Sequence, residues 1–432
     1  MQDQKERETL ESRNRRLREA INELSILNDI AIAISSVSSL AEVISLIVRK
    51  CVKHLEARQC TVTLLEEEDE NAPFRTFVRE LDTSKGMKPF KLDSQIAGWM
   101  IKNKKALVVN DLENDQRFHL DTKSSRIITS MLCAPLTHKG KLIGSINLFN
   151  KKSEGGFTVE NKRLLSIIAS QSAQVIKNAS LLEEEKAYRA LKEEMKLAYN
   201  IQMELLPSEN PVVEGYDIAG RSIPAKAVGG DYYDFIKANS GILVFCIGDV
   251  VGKGIPAALL MSNTQATLRG QVENDLSPSR VMTRSNSLLF RSTDAGKFIT
   301  LFMATLDPAS HQINYCNAGH EYPLVFRNDG SVEQLQTEGL ILAAIEDFDF
   351  GERSTALNPG EILLLYSDGI TEAFNPEGDQ FGLERLKEVI EGCRDSSSEE
   401  ILSEVVSSIR KFSNGREQSD DITLIVIRRD RE

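Results

Sequence analysis

GILVFCIGDVVGKGIPAALLM, residues 241–261, carries the reading of the fold. A short apolar run ends in Asp249, glycines at 252 and 254 make a turn, and Pro256 stands in the first turn of a helix, where its missing N–H costs nothing. The same grammar recurs in VGGDYYDF (228–235, Asp231), YSDG (366–369, Asp368) and SDDITLIV (419–426, Asp420 and Asp421). Taken one at a time, these aspartates are ordinary turn residues after or before glycine. Together they are not, because Asp249, Asp368 and Asp420 each stand at one end of a short apolar run, which turn chemistry does not require. Carboxylates ending strands are oxygen donors suited to hard cations such as Mg²⁺ and Mn²⁺, and one carboxylate shared by two ions about 3.5–4 Å apart makes a site for phosphoryl chemistry.

Outward from this stretch, GYDIAGRSI, FITLFMATLD, QINYCNAG, YPLVFRND, EILLLYSDG and ITLIVIRR read as further short strands between about Tyr216 and Arg428. Two helical stretches intervene, Ile255 to Gln271 and Ser277 to Arg291. Many strands with helices between hairpins predict an α+β sandwich with helices outside the sheets, an architecture that gathers strand ends distant in sequence.

The first half is organised differently. Charged, helix-favouring sequence from Lys5 to Leu27, with Leu10, Leu17 and Leu24 at one heptad position and Asn14 and Ile21 at the other, predicts a short coiled coil; a solvated lead-in helix fits the same spacing. Next come an amphipathic run to Leu55, a strand CTVTLLEE, two strands in MLCAPLTHKGKLIGSINLFNK around residues 138–141, and a closing helix with Thr158 as its N-cap. From Leu181 to Leu205 the residues Leu181, Tyr188, Leu191, Met195, Ala198 and Leu205 alternate steps of three and four, interrupted by Glu184 and Gln202, and Pro207 ends the helix. This predicts a rearrangeable coiled-coil linker, with an inert spacer as the alternative. The expected division is a coiled-coil helix over 1–24, a sensor domain over 25–180, a linker helix over 181–206 and a catalytic domain over 207–432.

Across 432 residues, 41% hydrophobic and 27% charged with net charge −12, the balance is that of a folded protein and disfavours nucleic acid as a partner. No apolar run reaches the roughly 20 residues of a membrane span, and the charged N-terminus lacks a signal segment, so a cytoplasmic protein is expected. The six cysteines contain no CxxC pair and read as buried thiols.

Residues 25–180 resemble a GAF domain, on IAGWMIKNKKALVVNDLENDQRF and on APL…GKLIGSINLFNK…FTVENKRLLSIIA. The resemblance implies an antiparallel sheet with flanking helices that senses a small molecule or a protein. Asn150, Lys151 and Phe157 match part of the signature of cyclic-nucleotide binders, but Asn161-Lys162 stand where an acidic pair belongs, which argues against that ligand. VGGDYYDF, GDVVGKGIPAALLM, NAGHEYPLV, YSDGITEAFNPEGDQFG and SDDITLIVI, in this order, resemble the SpoIIE-type branch of the PPM metal-dependent serine/threonine phosphatases. That resemblance implies an αββα sandwich with two Mn²⁺ or Mg²⁺ ions: Asp249 bridging both, the Val250 carbonyl on the second, Asp368 and Asp420 completing the first, Asp231 acting through the second, and Asp421 a weaker candidate. It implies catalysis centred on Asp249 and Asp231, with water activated between the ions attacking phosphorus. It also implies a phosphorylated anti-sigma-factor antagonist as substrate, while the heptad pattern predicts a homodimer and the lack of a long apolar run predicts no membrane partner.

The sequence departs from the animal enzymes of the superfamily. Val250-Val251-Gly252-Lys253 fills the stretch where those carry a histidine, and no general acid is evident. His320 reads as a structural mark, and Lys253 as either a phosphate contact or a solvent-exposed side chain. The GxxxxGK[ST] spacing of a nucleotide loop is absent. Two competing readings remain: a non-catalytic signalling scaffold, and a ligand-binding GAF module.

Overall fold

The computed structural model describes residues 39–65, 74–80, 94–118, 128–238, 241–294 and 296–431, together with Arg13, Ile21 and Ser25. The predicted coiled coil over 1–24 lies outside the described residues, apart from two of them. The chain divides into two compact units, Met1–Ala190 and Leu191–Glu432.

In the first unit, helix α1 (Leu40–Leu55) starts at Ser39, whose hydroxyl accepts from the Glu42 amide, and ends at Glu56 in the left-handed region. Strands β1 (Ala57–Leu65), β2 (Phe74–Glu80), β3 (Leu107–Val109), β4 (Met131–His138) and β5 (Lys141–Lys151) form one antiparallel sheet in the order β2-β1-β5-β4-β3. Period-two alternation gives the sheet two buried faces. Cys60, Val62, Leu132, Ala134, Ile146 and Leu148 pack with α1 and with α3 (Val159–Leu205). Met131, Cys133 and Phe149 pack on the other side with Ile96 and Met100 of α2 (Ser94–Asn103).

Helix α3 begins at a reciprocal cap: the Asn161 amide donates to Thr158 Oγ1, and Asn161 Oδ1 accepts from the Thr158 amide, each at 3.2 Å. Thr158 is thus the cap the sequence predicts, with Asn161 as its reciprocal partner. The helix runs 47 residues without a break, so the predicted closing helix and linker are one element, which the unit boundary cuts at Ala190. Pro207 lies just past its end. Leu181, Tyr188 and Leu191 of the predicted seam are exposed.

Two five-stranded antiparallel sheets build the second unit. One has the order β13-β10-β9-β8-β7, comprising β7 (Tyr232–Lys237), β8 (Leu243–Val250), β9 (Ile299–Asp307), β10 (Gln312–Ala318) and β13 (Arg353–Ala356). The other has the order β12-β11-β14-β15-β6, comprising β6 (Tyr216–Ile223), β11 (Leu324–Phe326), β12 (Val332–Gln334), β14 (Ile362–Tyr366) and β15 (Ile422–Arg429). Alternation along β14 and β15 decides the layers. Leu363, Leu365, Ile425 and Ile427 face the first sheet, while Leu364, Tyr366, Leu424 and Val426 face α7 (Gly382–Gly392) and α8 (Ser398–Ser413). On the far side α4 (Ile255–Val272) and α5 (Pro278–Ser292) bury Met261, Leu268, Met282 and Leu289 against the first sheet, completing an αββα sandwich. A four-residue turn of helix, α6 (Asp368–Thr371), follows β14 directly.

Candidate active site

Each predicted aspartate stands at a strand end of the second unit. Asp231 immediately precedes β7, Asp249 is the penultimate residue of β8, Asp368 opens α6 after β14, and Asp420 and Asp421 immediately precede β15. Glycines let these ends meet. A Cβ on Gly230 would lie 2.7 Å from the Val250 carbonyl oxygen and 3.3 Å from Asp249 Oδ1, so the backbone ahead of Asp231 rests on the Asp249 turn. A Cβ on Gly369 would strike the Asp421 carbonyl, so the turn carrying Asp368 lies against Asp420-Asp421. The hydroxyl of Thr300 in β9 accepts from the Asp249 amide at 3.3 Å and lies 2.9 Å from His320 Nδ1.

The electrostatics follow from bringing carboxylates together out of water. Burial, then Asp368, Asp420 and Asp421, push the half-buried Asp249 up to about 7. Asp231 is raised well above the carboxylate range, first by burial and then by Asp249, although the Thr423 and Ser367 hydroxyls oppose the shift. Asp368 is raised by burial, Asp420 and Glu372. Burial lowers His320 to about 4, leaving it neutral near pH 7; this fits its predicted structural part, in which it backs the Asp249 strand through Thr300.

The structure separates the roles of the two neighbouring aspartates. Asp421 is buried, and its carboxylate accepts from backbone amides: Oδ1 from Ala225 at 2.7 Å, Oδ2 from Gly230 at 2.7 Å and from Asp231 at 3.3 Å. Its lone pairs are committed to holding the Gly229–Asp231 loop. Asp420 instead pairs through Oδ2 with Lys253 Nζ at 2.7 Å, and that ammonium also donates to the Ser419 carbonyl at 2.7 Å. Lys253 is exposed, as one of its two readings has it, with its ammonium held by Asp420 and the Ser419 carbonyl.

Asp231 Oδ2 is buried and has no hydrogen-bond partner. An orphaned carboxylate oxygen beside Asp249, in an all-oxygen donor set, fits a hard divalent cation. Among the described residues no three His, Cys, Asp or Glu side chains close around a common point tightly enough to hold an ion, so the ligands are gathered but not converged.

Sequence reasoning missed two neighbours. Glu321 follows the NAGH motif; its outer face is in solvent, yet desolvation and then Asp368 and Glu372 push its pKa up. Asp234, fully buried in β7, takes two hydrogen bonds from Arg269 of α4 (2.7 and 3.0 Å) and one from Tyr232 (2.7 Å), tying that helix to the Asp231 strand. The second Asp of GGDYYD was visible in the motif, but its partner was not.

Comparison with known proteins identifies both units. Residues 239–430 match the family model described as stage II sporulation protein E (SpoIIE), and residues 37–177 match that of the GAF domain. The phosphoserine phosphatase RsbU of Bacillus subtilis is 37% identical over 242 residues, which cover 55% of this chain and 71% of RsbU. The chain belongs to the SpoIIE phosphatase family. RsbP of Bacillus subtilis, also named a phosphoserine phosphatase, is 26% identical over 240 residues, 55% of this chain and 58% of RsbP. The SiaA PP2C domain of Pseudomonas aeruginosa superposes with a TM-score of 0.50 at 20% identity, covering 57% of this chain and 98% of that domain, which supports the sandwich fold. The SpoIIE model match starts at residue 239, after Asp231.

The matched cyclic-nucleotide signature residues of the GAF domain have structural work. Asn150 Oδ1 accepts from the Thr129 amide at 2.7 Å, Lys151 Nζ donates to the Leu55 carbonyl at the end of α1 at 3.0 Å, and Phe157 is in the core.

Proposed function

We propose that this chain is a GAF-regulated, two-metal protein phosphatase that hydrolyses phosphoserine or phosphothreonine on an anti-sigma-factor antagonist. The observation that carries the reading is the orphaned Asp231 oxygen beside Asp249, with the preceding Gly230 backbone resting on the Val250 carbonyl. Asp231, Asp249, Asp368 and Asp420, with the Val250 carbonyl, would hold Mn²⁺ or Mg²⁺, while Asp421 holds the loop. When bound, such ions neutralise phosphoryl oxygens and acidify water for in-line attack. The protein's own part is to desolvate and crowd the carboxylates: raised toward neutrality, Asp249 favours a cation over mutual repulsion. Lys253, paired with Asp420, carries positive charge beside that ligand.

The exposed apolar side chains Leu181, Tyr188 and Leu191 of α3 support a homodimer through that helix, and the GAF sheet, buried on both faces, supports control by a small ligand or a protein. Among the described residues no helix is long and apolar enough to cross a membrane, consistent with action in the cytoplasm on a protein substrate.

The test is Mn²⁺-dependent hydrolysis of a phosphoserine protein and of a small aryl phosphate by the full chain and by Asp249→Asn. Turnover that requires metal and vanishes in Asp249→Asn carries the reading. A folded, metal-saturated wild type without turnover replaces it with the scaffold.

A further inference from the structure

Gln202 lies in the last turn of α3, only 5% exposed, at a position that the heptad spacing marks as a break in an apolar seam. Its side chain is committed within its own unit. Nε2 donates to the Gly229 carbonyl at 2.7 Å, and Oε1 accepts from the Gly229 amide at 3.0 Å. One planar amide thus holds both polar groups of a single residue that is 27 positions away and two residues before Asp231.

The loop it holds has little means of holding itself. Gly229 and Gly230 have no side chains, and the amides of Gly230 and Asp231 are fixed by the Asp421 carboxylate. The loop is therefore pinned by Gln202 on one residue and by Asp421 on the next two, and between them they set where the unpartnered Asp231 oxygen points. The same helical turn makes a second connection: Gln265 of α4 donates from Nε2 to the Leu205 carbonyl at 2.7 Å. One turn of α3 is thereby bonded to the Asp231 loop and to the helix that follows the Asp249 turn.

We propose that Gln202 is a positioning residue for the Asp231 carboxylate, through which the end of α3 sets the affinity of the site for its second cation. This rests on the two-metal phosphatase reading. Only a side chain offering a donor and an acceptor in one plane can satisfy a peptide N–H and C=O together, so glutamine is required where packing alone would accept methionine.

The experiment uses the full chain and two variants, Gln202→Met and Gln202→Glu. Mn²⁺ binding to substrate-free protein is measured by calorimetry, hydrolysis is titrated with Mn²⁺, and hydrogen exchange is followed at 229–231. In Gln202→Met the Mn²⁺ affinity is expected to fall ~10-fold or more, as when groups that orient metal ligands are removed. The half-saturating Mn²⁺ should move further than kcat at saturation, and exchange at 229–231 should quicken relative to β8 and β9. Gln202→Glu adds negative charge near a cation site, so electrostatics alone predicts tighter binding, whereas loss of the donor to Gly229 predicts weaker binding. It also serves if the methionine variant does not fold. Variants that bind Mn²⁺ within about twofold of the wild type, whatever their stability, make Gln202 a structural anchor and overturn the proposal. A wild type that neither binds Mn²⁺ nor hydrolyses phosphoprotein sinks the phosphatase reading instead.

Discussion

Asp249→Asn should abolish turnover and yet stabilise the metal-free phosphatase unit. In the folded, metal-free protein Asp249 is pushed up to about 7 by burial and by Asp368, Asp420 and Asp421, whereas in the unfolded chain it returns to its ordinary value. The folded state therefore binds the proton more tightly, and between those two values stability falls as pH rises. Above the folded value, a lift of this size corresponds to roughly 4 kcal/mol at ~1.4 kcal/mol per pH decade. Solvent reaching the half-buried carboxylate reduces that to ~2 kcal/mol. Asparagine keeps the shape without the charge, so it should gain about this amount at about pH 8, roughly half of it at about pH 5.5, and little at about pH 3.5, where Asp249 is protonated in the folded and the unfolded state alike.

The readout must report the correct unit. The single tryptophan, Trp99, lies in the first unit, so its fluorescence would follow the GAF domain. Pulsed hydrogen exchange of β8 and β9 peptides across a urea series in EDTA isolates the second. A variant less stable than wild type at about pH 8, or a gain that does not change with pH, would refute the argument that the metal-free carboxylates strain the fold.

Three further outcomes follow from the site. Asp421→Asn must turn an N–H₂ toward the backbone donors of the Asp231 loop, so it should cost ~2 kcal/mol in urea unfolding and weaken calorimetric Mn²⁺ binding, whereas Asp249→Asn stabilises the metal-free unit. Lys253→Ala removes an exposed pair worth ~0–1 kcal/mol, so stability should hold while Mn²⁺ affinity rises, because Asp420 no longer has a competing cation; unchanged affinity would mean that the pair opens freely. Mn²⁺ affinity should climb as pH rises through about 7, where Asp249 loses its proton in the metal-free site, and calorimetry in buffers of different ionisation enthalpy should detect the proton released.

The carboxylate-bearing segments were legible because a strand ending in aspartate beside glycine is a local pattern, and the seven runs read as strands coincide with β6, β8, β9, β10, β11, β14 and β15. Short β12 and β13 were not read, since three or four residues are too few for a period to show. Helix α8 was missed although SEEILSEVVSSIRKFS alternates at helical spacing and the Ser397–Glu400 capping box announces its start. What no local pattern carries is the pairing of polar groups across the fold. Asp420 and Asp421 are adjacent and chemically identical, yet one meets an ammonium and the other three backbone amides, partners that lie more than 150 residues away in the sequence.

Gln202 makes the same point about the linker. By spacing alone a glutamine in a heptad seam weakens a coiled coil, and that reading makes the linker adjustable along its whole length. The structure gives the residue a buried tertiary partner instead, so its polarity is satisfied within the phosphatase unit and need not weaken any seam. Adjustability then belongs to the exposed stretch around Leu181, Tyr188 and Leu191, while the last turn of α3 behaves as part of the catalytic domain. A change in the exposed stretch that moves that turn would reach Asp231, because the two hydrogen bonds to Gly229 are short enough that rotation of the helix by a fraction of a turn would break both at once.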